Sequence, residues 1–283
     1  MTPLDKRIYG LVGFPVSHSL SPEMHKAAFS YLGINAEYKL FPLKENELED
    51  FFKNLSKNNI YGLNVTIPYK EKVLDFVRLD SESFYLTQIK AVNTIVRKDG
   101  ALFGFNTDIP GFSRHLKENF DPADKKVAIL GSGGAGRAVA YAIANSKAKK
   151  IAVYDIDKKR AQNLVEMIKN LFSGFDIQSM DNIEQLDISN KDLLINATPI
   201  GMKKEDPCLV KQELLHKNLF VYDLIYNPAQ TKLLAEAQKA GAKTANGLGM
   251  LLYQGALSFG HFTGADAPID IMRQALNEGV RKL

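Results

Sequence analysis

At 283 residues the chain is too long for one small domain and is read as two, each large enough to bury its own core. Hydrophobic residues at 45% and charged residues at 24% describe an ordinary globular composition, and a net charge of +4 with no dense Lys/Arg block excludes nucleic acid as the expected partner while mildly favouring anionic ligands. The single cysteine, Cys208, excludes an intrachain disulfide, the five histidines have no metal-ligand spacing, and neither a signal core at the N-terminus nor a run of roughly 18 apolar residues is present, so a cytoplasmic protein without metal or membrane is expected.

Taken in chain order, Ile8 to Val12 predicts a strand and Pro22 to Leu32 a helix. Ser21 is the expected N-cap and Pro22 suits the first helical position. Met24, Ala27, Ala28, Tyr31 and Leu32 form one apolar stripe, and Gly33 supplies the stop. A strand at Glu37 to Phe41 and a helix at Glu45 to Leu55 follow. Pro68 ends a further strand within Gly62 to Lys72. Ala91 to Val96 and Ala101 to Phe105 flank Asp99-Gly100, a hairpin signal.

The stretch Val127 to Gly136 reads as strand, glycine loop and helix start. Gly131 allows the tight turn, Gly133 lets backbone approach a pyrophosphate, and Gly136 lets the next helix pack on the strand. Phosphates would sit on the helix N-terminus, so Gly131, Ser132, Gly133, Gly134, Ala135 and Gly136 are expected to line a dinucleotide. Asp155, ending the apolar run Ile151 to Tyr154, can accept both ribose hydroxyls of NAD and would repel a 2′-phosphate. Lys158, Lys159 and Arg160 either offset that charge or simply start the helix Lys158 to Leu171. Strands at Leu193 to Asn196 and Leu219 to Leu224 then alternate with a helix at Ala229 to Ala240. Helices at Met250 to Phe262 and Pro268 to Lys282 close the chain and are expected to return to the N-terminal domain, leaving a cleft.

Six motifs carry a resemblance: Gly13 to Pro22, Asn64 to Lys70, Ala91 to Ile95, Gly104 to Asp108, Asn196 to Met202 and Gly247 to Gln254. Together and in this order the chain resembles the shikimate dehydrogenase family. The resemblance implies an α/β fold with a discontinuous substrate-binding domain, residues 1–107 and 247–283, and a Rossmann domain, residues 108–246. It also implies NADP- or NAD-dependent interconversion of 3-dehydroshikimate and shikimate in aromatic amino-acid biosynthesis, by a monomer or homodimer. An inactive nucleotide-sensing homologue is the distant alternative, since fold alone does not establish function.

Oxidising a ring hydroxyl sends hydride to nicotinamide and needs a side chain to take the proton. By resemblance that work falls to Lys70 with Asp108, although from spacing alone Lys70 reads as a solvated residue in a Lys-Glu-Lys stretch. Ser19 and Ser21, two hydroxyls beside a helix N-terminus, suit a carboxylate. The resemblance assigns them that role, with Asn64, Thr66, Asn93 and Gln254 reading ring hydroxyls and Tyr226 nearby. It puts Ala197, Thr198, Met202, Leu224 and Gly247 on the nicotinamide side. Two positions depart from the family pattern. Asp155-Ile-Asp157 replaces the usual Asn-Arg-Thr string whose arginine grips the 2′-phosphate, a change that also resembles the quinate/shikimate dehydrogenase branch using NAD. Lys90 stands where a glycine is usual.

Overall fold

Residues 6–79 and 85–282 are described in the computed structural model; Met1 to Asp5, which opens the polar N-terminal stretch, lies outside them. The chain divides into two compact units, Met1–Thr107 with Leu251–Leu283, and Asp108–Met250. Each is built on its own sheet.

The first unit holds β1 (Arg7–Gly13), α1 (Ser21–Tyr31), β2 (Ala36–Pro42), α2 (Leu48–Lys53), β3 (Ile60–Val65), α3 (Leu86–Ile89), β4 (Thr94–Lys98) and β5 (Ala101–Phe105). Its strand order is β2-β1-β3-β4-β5, with β1, β2 and β3 parallel and β4 and β5 antiparallel. Helical crossovers make the parallel half, and the two-residue loop Asp99-Gly100 makes the antiparallel half. Both loop residues have positive φ, 50° and 78°, as a right-twisted hairpin requires.

Local chemistry moves several predicted boundaries. Ser21 is the first residue of α1 rather than its cap: Leu20 holds the cap position with no side-chain bond, and the Ser21 N–H donates instead to Ser19 Oγ at 3.2 Å. At the other end Gly33 N–H bonds Ser30 O and Ile34 N–H bonds Phe29 O, the paired bonds of a left-handed stop. The helix predicted over Glu45 to Leu55 splits into a 3₁₀ turn, Glu45–Glu47, and α2, because Glu47 reaches back to accept from Lys44 N at 2.6 Å and tightens the first turn.

Lys90 caps α3 in the left-handed region, φ 51° and ψ 47°, which gives the departure at this position a conformational meaning. A Cβ there is strained where glycine is not. Lys90→Gly is expected to raise stability by about 0.5–1 kcal/mol, the relief of strain exceeding the added freedom of the unfolded chain. A denaturant midpoint that falls instead would show the lysine side chain stabilising the fold.

The second unit holds α4 (Asp108–Asn119), β6 (Lys126–Leu130), α5 (Gly134–Asn145), β7 (Lys150–Tyr154), α6 (Lys158–Leu171), β8 (Ile177–Ser179), β9 (Leu193–Asn196), β10 (Phe220–Asp223), α7 (Lys232–Lys239) and β11 (Lys243–Ala245). The order β8-β7-β6-β9-β10-β11 is parallel throughout, with the chain reversing direction between β6 and β9. In a doubly wound sheet ligands bind outside the carboxyl ends of the strands at that switch point. Helix α7 begins at Lys232, later than the predicted Ala229, because Thr231 Oγ1 accepts from Leu234 N and fixes the start. Arg160 N–H likewise donates to Asp157, so Lys158 to Arg160 form the first turn of α6.

Two last helices follow, α8 (Leu248–Thr263) and α9 (Ile269–Val280). In the first unit α9 packs on α1, where Gly279 lies against Leu20. Beneath them Tyr9, Phe29, Tyr38, Phe259 and Phe262 form a buried aromatic core around His25.

Candidate active site

In the first unit three of the predicted substrate residues, Asn64, Asn93 and Gln254, fall into one buried polar network. Asn64, at the end of β3, accepts from Tyr38 Oη at 2.8 Å and donates to Ser258 Oγ at 2.7 Å and Thr94 Oγ1 at 3.2 Å. Thr94, Thr107 and Ser258 close a hydroxyl triangle with sides of 2.9–3.1 Å. Asn93 Oδ1 accepts from Thr107 N at 2.7 Å, while its amide donates to Thr107 Oγ1 at 3.0 Å and Gln254 Oε1 at 3.5 Å. Beside this network Ser19 Oγ donates to Ser21 Oγ at 3.2 Å. Three predicted residues, Asn64, Asn93 and Gln254, are thus linked, and Ser19 and Ser21 form a pair of their own. Apart from Ser19 they are nearly or wholly buried, so each donor must be matched inside the protein.

Thr66 stands outside this network just past β3, with its N–H on the Val12 carbonyl. Lys70 is half-buried, and its carbonyl accepts from Val92 N at 2.9 Å. Lys72, at the other end of the Lys-Glu-Lys stretch, is half-buried too and pairs with Glu45, so the exposed member is Glu71. Tyr38 and Ser258 escaped the motif reading, while Thr94 and Thr107 lie inside two of the six motifs but were given no role there. Ser258 had a signal, since it lies one helical turn beyond Gln254 and accordingly donates to the Gln254 carbonyl at 2.9 Å.

In the second unit the glycine loop joins β6 to α5. Gly131 has φ 94°, open to glycine, and its N–H bonds the Tyr154 carbonyl at 2.8 Å. A Cβ at Gly136 would collide with the Gly131 carbonyl, so the helix approaches as closely as the motif implies. A Cβ at Gly133 meets nothing within 4 Å, and α5 starts there with no side-chain cap. That leaves free helix N–H groups facing open space, a cradle that fits a pyrophosphate. Gly134 and Ala135 form the half-buried first turn.

Asp155 is held on three sides. Its Oδ2 accepts from Ser132 N at 2.7 Å and Ser132 Oγ at 2.6 Å, and its Oδ1 accepts from Asp157 N at 2.9 Å. Ser132 itself is buried. The basic residues downstream have acids of their own: Lys158 pairs with Asp181 at 2.7 Å, and Arg160 lies 3.8 Å from Asp157.

The rest of the predicted cofactor side is organised by an acid the motifs did not reveal. Asp223, fully buried at the end of β10, accepts from Asn196 Nδ2 at 3.0 Å, Ile225 N at 3.1 Å and Thr231 Oγ1 at 2.7 Å. Burial pushes its carboxyl above the usual range, against these three bonds. Asn196 in turn accepts from Thr198 N and Oγ1, and so shapes the turn carrying Ala197 and Thr198. Gly247 packs against Leu224 so closely that a Cβ would overlap its carbonyl. Met202 lies on an exposed loop held by Asp206, whose carboxylate accepts from Gly201 N and Lys203 N; these bonds hold it below the usual range. Tyr226 is half-buried, and Asp108, 5% exposed, opens α4.

Comparison with known proteins gives these residues a family. Residues 11–95 match the model of the shikimate dehydrogenase substrate binding domain, residues 114–220 that of shikimate / quinate 5-dehydrogenase, and residues 247–276 that of the shikimate 5′-dehydrogenase C-terminal domain. The shikimate dehydrogenase (NADP(+)) of Methanopyrus kandleri is 43% identical, covering 98% of this chain and 97% of that one. A crystal structure of shikimate dehydrogenase in complex with NADP+ superposes with a TM-score of 0.88 at 37% identity, covering 99% of this chain and 98% of that one. The Listeria monocytogenes shikimate 5-dehydrogenase in complex with shikimate and NAD gives 0.85 at 34% identity, covering 97% of each chain. The chain belongs to the shikimate dehydrogenase family.

Proposed function

We propose that this protein is a cytoplasmic shikimate dehydrogenase, reducing 3-dehydroshikimate to shikimate reversibly on the route to chorismate and the aromatic amino acids, with NAD as its preferred cofactor. The observation that carries the reading is the buried network of Asn64, Asn93 and Gln254, with the Ser19–Ser21 hydroxyl pair in the same unit, small polar groups suited to one polyhydroxylated carboxylate. The dinucleotide supplies the hydride when bound. Ser19 and Ser21 hold the carboxylate beside the first turn of α1. Asn64, Thr66, Asn93 and Gln254 orient the ring hydroxyls, each amide offering a donor and an acceptor. Lys70 polarises the reacting C3 oxygen and, with Asp108, passes its proton. Cofactor choice rests on Asp155, whose anchored carboxylate suits ribose hydroxyls and opposes a 2′-phosphate.

Initial rates at 340 nm, pairing shikimate and quinate each with NAD and NADP, test this directly. Shikimate with NAD is expected to give the highest kcat/KM. Comparable rates with quinate would move the protein to the bifunctional branch, and no turnover in any pairing would end the enzymatic reading.

A further inference from the structure

Tyr38 and Asn64 sit on β2 and β3 with β1 between them. Tyr9 is opposite both Tyr38 and Gly62, and Leu11 is opposite Asn64, so these side chains share one face of the sheet. Two strand spacings, roughly 9–10 Å, separate β2 from β3. A tyrosine reaching across and an asparagine reaching back close that gap, and the resulting bond is 2.8 Å.

The ring of Tyr38 is fixed by His25, which stacks on it at 4.3 Å with an interplanar angle of 4°. His25 is fully buried, and neither ring nitrogen has a hydrogen-bond partner. Burial among Phe29, Phe259 and Phe262 pushes its pKa down to about 3, so it is a neutral slab at physiological pH. Its role on this geometry is to fix the plane of Tyr38 and therefore the place of the Tyr38 hydroxyl.

Donor arithmetic gives that hydroxyl a direction. An amide oxygen only accepts, so the one Tyr38 proton goes to Asn64 Oδ1. With its oxygen held by Tyr38, the Asn64 amide turns its NH₂ toward Ser258 and Thr94.

We propose that Tyr38 is a positioning residue for substrate recognition, its hydroxyl holding the Asn64 amide oxygen and fixing which end of that amide a ring hydroxyl meets. This rests on the function proposed above. Without the hydroxyl, Asn64 Oδ1 is buried with no donor. The hydroxyls of Ser258, Thr94 and Thr107 can each donate or accept, so nothing stops the amide from turning over.

Tyr38→Phe keeps the ring and the His25 stack, and is expected to raise KM for shikimate about tenfold. Its kcat should stay within about threefold of the unmutated protein, with KM for the dinucleotide unchanged. In an Asn64→Ala background the same substitution should add less than about twofold, because its effect passes through Asn64. A second measurement needs no variant: the Tyr38 hydroxyl proton should exchange slowly in NMR spectra of the unmutated protein, and rapid exchange would overturn the link. An unchanged shikimate KM, or additive effects of the two substitutions, would reduce Tyr38 to a packing residue. Absence of turnover in the unmutated protein would overturn the function and this role together, an outcome distinct from turnover that Tyr38→Phe leaves intact.

Discussion

Lys70→Ala is expected to lower kcat/KM for shikimate by about 10³-fold, about 4 kcal/mol of transition-state stabilisation, with the loss mainly in kcat. A positioned proton-transfer group contributes roughly 10²–10⁴-fold. Lys70 also polarises the oxygen whose charge changes, which puts the loss near the middle of that range. The bond from Val92 N to the Lys70 carbonyl uses the backbone and survives in alanine, and far-ultraviolet circular dichroism checks that the variant folds. Lys72→Ala is the control. That side chain is 42% exposed in its pair with Glu45, and an exposed pair contributes roughly 0–1 kcal/mol to stability, so turnover should not change. Asp108→Asn should act on the same step, and the Lys70→Ala/Asp108→Asn double variant should lose far less than the product of the two single losses. A Lys70→Ala protein within tenfold of normal kcat would remove Lys70 from the chemistry.

Where function depends on local spacing, the chain was readable. The glycine loop, α6 and β9 lie where periodicity and motif put them, and Asp99-Gly100 makes the hairpin that its positive-φ preference demands. Elements with weak local signals were missed. The three-residue edge strands β8 and β11 are too short to show a period, and α4 carries Pro110 and Gly111 in its first turn. The site divides in the same way. Ser21, Asn64 and Asn93 sit in recognisable strings, but Tyr38 reads as one more aromatic in a strand, because its role depends on its register across β1. Asp223 reads as the end of an apolar run and becomes legible only when β9 and β10 bring Asn196 beside it. Ser21 as a cap failed because its N–H goes to Ser19 Oγ and Leu20 holds the cap position.

Asp155 carries the second large effect. The unmutated protein should favour NAD over NADP in kcat/KM by about 10²-fold, and Asp155→Asn should reduce that preference at least tenfold. A unit charge about 4 Å from another costs on the order of 4 kcal/mol at an effective dielectric of 20. Asp155 is half-buried, so screening reduces this to about 2–3 kcal/mol, or roughly 30- to 150-fold. The outcome turns on whether the carboxylate can swing aside, and Ser132 decides that. Two Ser132 donors and the Asp157 N–H hold Asp155 in place, and Lys158 and Arg160 have acids of their own rather than a phosphate to meet. Ser132→Ala removes one of the three donors and leaves the two backbone bonds, so it should relax the preference by only about threefold, in line with the loss of one hydrogen bond to a charged group. Asp155→Asn should act mainly on KM for NADP, because the lost charge repels the ground state and the transition state alike. An unmutated protein that prefers NADP would mean the Ser132–Asp155 bonds open when the dinucleotide binds. Ser132→Ala should then raise activity with NADP further, by lowering the cost of that opening.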